Sequence, residues 1–281
     1  MTLRRHDSVA GRQVIETPGS IGGASGTSPE PHLSGIDRRR ESIVVRLSVS
    51  WFALAFASLA TSLPLFALVF AVTSGTAALQ LSRAWRRLGF PVQETAAVVV
   101  AACMPILGLA GPTVVGVGFL AVGVVALLFW RGGPGRPVDV DRTLGACLPP
   151  ALAACSPVLL ARVETALAIS FLVLVSVYDA LDYWIGTRSR RYFAGPAAGV
   201  VAVAVLSLPL LVMNPTPLGE GLVWYVVAVA VGAPVGQVLA STLVPDAKAI
   251  VSGLRRLDTY LLTGPLWVGM LWSGVGSTTV R

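Results

Sequence analysis

Two polar stretches interrupt an otherwise apolar chain, and they hold the residue types on which chemistry could rest. The first reads Tyr178-Asp179-Ala180-Leu181-Asp182-Tyr183-Trp184-Ile185-Gly186, followed by Arg188, Arg190 and Arg191. Asp179 and Asp182 are three apart, so on a helix end both carboxylates face one side. Carboxylates followed by guanidinium groups suit a metal–phosphate site. The same stretch also reads as a solvated interfacial loop whose Tyr and Trp belong to the membrane boundary. The second stretch runs Gly236-Gln237-Val238-Leu239-Ala240-Ser241, then Asp246 and Lys248, and ends Leu254-Arg255-Arg256-Leu257-Asp258. Its plain reading is a basic loop that sets topology, with the guanidinium groups as phosphate or lipid-headgroup ligands. Arg83, Arg86 and Arg87, after Trp85, add a further headgroup contact. Other chemistry is poorly supplied. His6 and His32 lie in the polar N-terminal tail, and Cys103, Cys147 and Cys155 sit in apolar runs without metal-ligand spacing, as small buried hydrophobes do.

The elements that must position these residues are membrane helices. Of 281 residues, 54% are hydrophobic and 12% charged, about half the charge of an ordinary soluble domain. Twenty-nine glycines and nineteen prolines would break a soluble bundle but are tolerated in lipid, where small residues let helices approach. The net charge of +7 comes from clusters between apolar runs, which argues for anionic headgroups and against nucleic acid. Residues 1–42 are rich in Gly, Ser, Pro, Arg and Thr and predict a disordered cytoplasmic tail without a signal peptide. Residues 43–281 form the expected transmembrane domain. From Leu47 to Leu79 there are 33 uncharged residues, about 50 Å as one helix against a hydrocarbon core of about 30 Å. A break at Thr61-Ser62-Leu63-Pro64 divides them into two short spans. Further spans are predicted at roughly 95–110, 113–130, 144–160, 166–178, 193–213, 222–244 and 259–275. With nine spans and the tail inside, nineteen of the 21 Lys and Arg residues fall on the inner face, leaving Arg162 and Arg281 outside. That asymmetry predicts an all-α, multi-pass protein of the cell inner (plasma) membrane, N-terminus cytoplasmic and C-terminus outside.

The order of spans and the two polar stretches together resemble bacterial phosphatidate cytidylyltransferases (CDP-diacylglycerol synthases), over roughly residues 43–275. The family's Asp-x-Gly-Ala-Tyr-x-x-Gly pattern is met by Asp179, Tyr183 and Gly186, with Leu181 and Asp182 in place of its small residues. Its C-terminal elements are met at Gly236 and Ser241, and at Arg256, Leu257 and Asp258. Departures from the pattern are as informative. Gln237 and Ala240 replace an Asp and a Glu, Val244-Pro245 falls where the family has Lys-Arg, and Arg255 replaces the first Asp of Asp-Arg-x-Asp. The His-Gly-Gly element has no counterpart, and a lysine- and acid-bearing element is reduced to Gly195-Pro196-Ala197-Ala198-Gly199.

The resemblance implies a reaction in which the phosphate of phosphatidate attacks CTP and pyrophosphate leaves. Two polyanions must then meet, which needs a divalent cation such as Mg2+ held by carboxylates. Exchanging an acid for Arg255 puts positive charge where the metal would sit. The expected protein is therefore a catalytically impaired relative, acting as a lipid-binding or scaffolding paralogue, with anionic phospholipid as ligand and a second copy or a membrane enzyme as partner. The alternative is an active enzyme rebuilt on Asp179, Asp182, Asp246 and Asp258. A transporter ranks below both, because no internal repeat is visible and charges cluster at span ends. Either family reading requires the stretches around Asp179 and Asp258 to meet at one polar site on the inner side.

Overall fold

A computed structural model describes residues 49–130, 139–189, 193–213, 221–245 and 251–273. The tail at 1–42, with His6 and His32, lies outside these residues, as do Arg131, Arg136, Arg190, Arg191, Asp246, Lys248 and Arg281.

Among the described residues all regular structure is helical. The first helix, α1, is Val49–Thr61. It is followed by α2 Leu63–Arg87, α3 Glu94–Gly108, α4 Pro112–Trp130, α5 Val140–Val163, α6 Thr165–Gly186, α7 Ala194–Met213, α8 Leu222–Leu243 and α9 Tyr260–Ser273, with a 3-10 turn at Leu254–Arg256 before α9. The expected break between α1 and α2 falls at Ser62. Its extended backbone lets the side-chain oxygen accept from the Leu65 N–H at 3.3 Å, and Pro64 sits in the first turn where its missing N–H is harmless. At the other end of α2, Gly89 takes φ +88 just past the last turn, and Arg86 and Arg87 face the negative end of the helix dipole.

Four helices, α2, α5, α6 and α8, are long and apolar enough to cross a membrane. Of the others, α1, α3 and α9 are shorter than that. The 15 residues of α3 and the 14 of α9 each rise only about 21–23 Å, against a hydrocarbon core of about 30 Å.

Helix α5 is central. Its most apolar window is 72% buried, against 39% for α6 and for α8, and it packs on α2, α3, α6 and α9. Pro149, Pro150 and Pro157 lie inside it, a pattern that neighbouring helices make tolerable. The periphery is apolar outward. Leu120, Leu127 and Leu128 on α4 and Val201, Val205 and Leu208 on α7 are all exposed, which water would penalise and lipid would not.

Several expected boundaries move. Arg83, Arg86 and Arg87 lie on the last turns of α2, not in a loop, and Arg83 and Arg86 pair with Glu94 at the start of α3. The segment from Asp179 to Gly186 is the continuing C-terminal part of α6, and Gly236 to Ser241 lies within α8. Of the three cysteines, Cys147 and Cys155 are buried as expected, whereas Cys103 is exposed.

Candidate functional site

One end of the helix bundle collects most of the described charge. Glu94 ties the start of α3 to the end of α2, the Asp139 N–H donates to the Pro91 carbonyl, and Gly186 at the end of α6 meets Gly195 at the start of α7. Arg162 lies elsewhere, against Gly111 in the turn between α3 and α4.

At the charged end, α6, α8 and the entry to α9 build a polar cluster. The carboxylates of α6 project toward different partners. Asp182 accepts from the Gln237 side-chain amide at 3.0 Å, and the Gln237 amide oxygen accepts in turn from the Tyr178 hydroxyl at 3.3 Å. Asp179 accepts from the Thr259 hydroxyl at 2.6 Å. That hydroxyl also lies 3.1 Å from Asp258, whose carboxylate accepts the Thr259 N–H at 2.7 Å. A hydroxyl has one proton to give, so Thr259 stands between two carboxyls and serves one at a time. The stretches around Asp179 and Asp258, 80 residues apart between Asp179 and Thr259, therefore meet.

Close helix approach makes this possible. A Cβ on Gly236 would lie 2.5 Å from the Asp258 carbonyl oxygen, so only glycine lets α8 pass the entry of α9. Gly195 and Gly199, four apart on α7, lie against Asp182 and the Tyr178 ring, where a Cβ would come within 2.5 and 2.7 Å. The Gly195–Gly199 segment thus serves as a small-residue packing face for α6.

The electrostatics of Asp258 follow from its place in the turn before α9. Burial is the largest influence and pushes its carboxyl up to about 7, against the downward pull of the Thr259 bonds and of Arg255. Burial also lowers the ordinary value of the Arg256 guanidinium.

The remaining sequence candidates divide. Arg255 is exposed beside Asp258. Ser241 is exposed, and its hydroxyl bonds the Val238 carbonyl of its own helix, outside the cluster. Tyr183 is half-buried on α6 and makes no side-chain bond to the acids, and Gly186 packs on Gly195. Arg256 lines a different feature, a cleft of about 450 Å³ between α1, α2 and the turn at 252–256. Thr259 is a member that the sequence reading did not name, and Gln237 and Tyr178 were named in the polar stretches without being counted as site residues. The signal for Thr259 was its place directly after Asp258, and that for Gln237 was its place as a polar amide inside a long apolar run.

The donor set does not suit a divalent cation. Among the described residues no three His, Cys, Asp or Glu side chains form a group that could hold a metal ion. Thr259 occupies the position between Asp179 and Asp258 that a bridging ion would need, and the Gln237 amide presents N–H groups, not lone pairs, to Asp182. A search against protein families, curated proteins and solved structures finds no match to this chain.

Proposed function

We propose that this chain is a polytopic helical protein of the cytoplasmic membrane, laid out like a phosphatidate cytidylyltransferase, that binds anionic phospholipid without carrying out nucleotidyl transfer. The observation that carries the reading is the internal satisfaction of the acids. Asp182 is held by Gln237, and Asp179 and Asp258 share Thr259. A phosphoryl-transfer site must instead keep its carboxylates open for paired cations that template the attacking and leaving oxygens.

Orientation follows from the charge asymmetry. The end bearing Arg83, Arg86, Arg142, Arg188, Arg255 and Arg256 faces the cytoplasm, where anionic lipid attracts it. In the nine-span arrangement, a cysteine probe at Gly133 is shielded from an impermeant outside reagent and one at Gly219 is labelled.

The activity test is CTP-dependent formation of CDP-diacylglycerol by the purified protein, with complementation of a cell depleted of its own cytidylyltransferase. The expected result is no product and no rescue, together with anionic lipid retained through purification. Rescue that Asp258→Asn abolishes would establish the rebuilt enzyme using Asp179, Asp182, Asp246 and Asp258, and the non-catalytic reading would fall.

A further inference from the structure

Resting on the lipid-binding reading, we infer that the cleft between α1 and α2 seats one anionic phospholipid, its acyl chain along the helices and its phosphate on Arg256. The walls are Trp51 and Leu54 from α1 and Leu68 and Val72 from α2, and the polar end is formed by Ser252 and Arg256. Its volume of about 450 Å³ falls within the usual range of ligand pockets, roughly 300–1,000 Å³.

Charge complementarity selects the occupant. The other described cations at this end mostly have partners. Arg83 and Arg86 pair with Glu94, Arg142 pairs with Asp139 and lies over the Phe90 ring, Arg188 lies over Trp184, and Arg255 is near Asp258. Arg87 is exposed to solvent. Arg256 is half-buried, yet no side chain among the described residues gives it a hydrogen bond, an ion pair or an aromatic face. A partly desolvated cation without a partner is unfavourable, and a phosphate supplies the bidentate acceptor that guanidinium fits best. An apolar trough leading to that cation requires a ligand with both an acyl chain and an anionic head, which a free phosphate lacks.

The turn that carries Arg256 is built against α2. Gln80 donates to the Ser252 hydroxyl at 3.1 Å and accepts the Gly253 N–H at 2.9 Å. Gly253 lies so close to Ala77 that a Cβ would come within 2.7 Å of its backbone nitrogen. Trp51 is fixed in the wall by donating its indole N–H to Thr73 at 3.0 Å. The turn that carries Arg256 and the apolar wall of the cleft are therefore both anchored on α2.

The test is native mass spectrometry of the full-length detergent-solubilised protein, titrated with phosphatidate or phosphatidylcholine of matched chains. Wild type is compared with Arg256→Gln, with Val72→Trp to fill the cleft, and with Arg162→Gln as an exposed arginine control away from the charged end. A thermal melt of each variant verifies folding. Expected is tighter binding of phosphatidate than phosphatidylcholine, weakened roughly tenfold by either cleft variant and unchanged by Arg162→Gln. If phosphatidate binding persists in both cleft variants, the cleft assignment is overturned while the lipid-binding reading stands. Loss in Arg256→Gln with full binding in Val72→Trp also overturns it, since the headgroup would then be held without the trough. A wild-type protein that does not prefer phosphatidate overturns both.

Discussion

Two polar regions lie on neighbouring parts of the same end of the bundle, and they differ in how their charges are satisfied. In the cluster of α6, α8 and α9, each acid has a protein partner. Gln237 serves Asp182, and Thr259 serves Asp179 and Asp258. In the cleft of α1 and α2, the half-buried Arg256 has none among the described residues. Charge that a protein has already satisfied with its own neutral donors holds helices together. Charge left at the mouth of an apolar trough waits for something else. On the proposed reading, the carboxylates that first suggest chemistry are the structural ones, and the ligand site belongs to a guanidinium.

The comparison is broken most severely by crowding the glycines that bring the cluster together. Gly236→Ala places a Cβ 2.5 Å from the Asp258 carbonyl oxygen, and Gly195→Ala places one 2.7 Å from the Asp182 carbonyl oxygen. Backbone cannot step aside as a side-chain tip can, so each is expected to destabilise by about 1–3 kcal/mol. Thermal unfolding in detergent measures it. A melting temperature unchanged in both would mean that α8 and α7 stand farther off than described.

Removing a partner should have different consequences in the two regions. Gln237→Leu leaves Asp182 without its amide donor and Tyr178 without its acceptor, and is expected to cost about 1–3 kcal/mol. Arg256→Leu removes a cation with no partner among the described residues and should leave the lipid-free protein as stable as before, or slightly more so, because an unpaired charge no longer needs desolvation. Equal losses in delipidated protein would show that Arg256 is paired after all.

Protonation sharpens the same contrast. The Asp258 carboxyl is raised from its ordinary value of 3.8 to about 7, so between those values the folded state holds a proton that the unfolded state has released. The stabilisation this gives is complete below the ordinary value and is lost as pH rises through about 7. Asp258→Asn mimics the protonated form. Its melting temperature should therefore exceed that of wild type at pH 8 by more than it does at pH 5, as melts at both pH values will show. A gain larger at the acidic pH would contradict the burial argument.

What the sequence made legible was local. The break at Ser62 and Pro64 follows from turn chemistry that the residues carry themselves, and apart from the far ends of α2 and α6 the apolar runs locate the helices to within a few residues. Where α6 ends was not legible. Asp179 and Asp182 looked like the start of a loop because an isolated apolar helix would not bury them, and their partners Thr259 and Gln237 lie 80 and 55 residues further on. Gly195 and Gly199 show the opposite failure. Their four-residue spacing was in plain view as a helix-packing pattern, yet comparison with a motif they lack drew attention to the missing lysine. The cleft could not be read at all, since Trp51, Val72 and Arg256 meet only through the turn that Gln80 fastens to α2.

The smallest expected effect separates residues identified by resemblance from those identified by geometry. Ser241 matches a position of the cytidylyltransferase pattern, but its side chain is exposed and bonds the Val238 carbonyl within α8, a local bond that water replaces easily. Thr259 matches no such position, yet its hydroxyl lies between Asp179 and Asp258 inside the bundle. Ser241→Ala is expected to change stability by no more than about 0.5 kcal/mol, and phosphatidate binding not at all. Thr259→Val keeps the shape but removes the donor that separates two carboxyls, and should cost about 1–3 kcal/mol at neutral pH. Paired melts of the two variants decide the matter. A Ser241→Ala loss as large as that of Thr259→Val would return Ser241 to the functional site and restore weight to the family's catalytic arrangement.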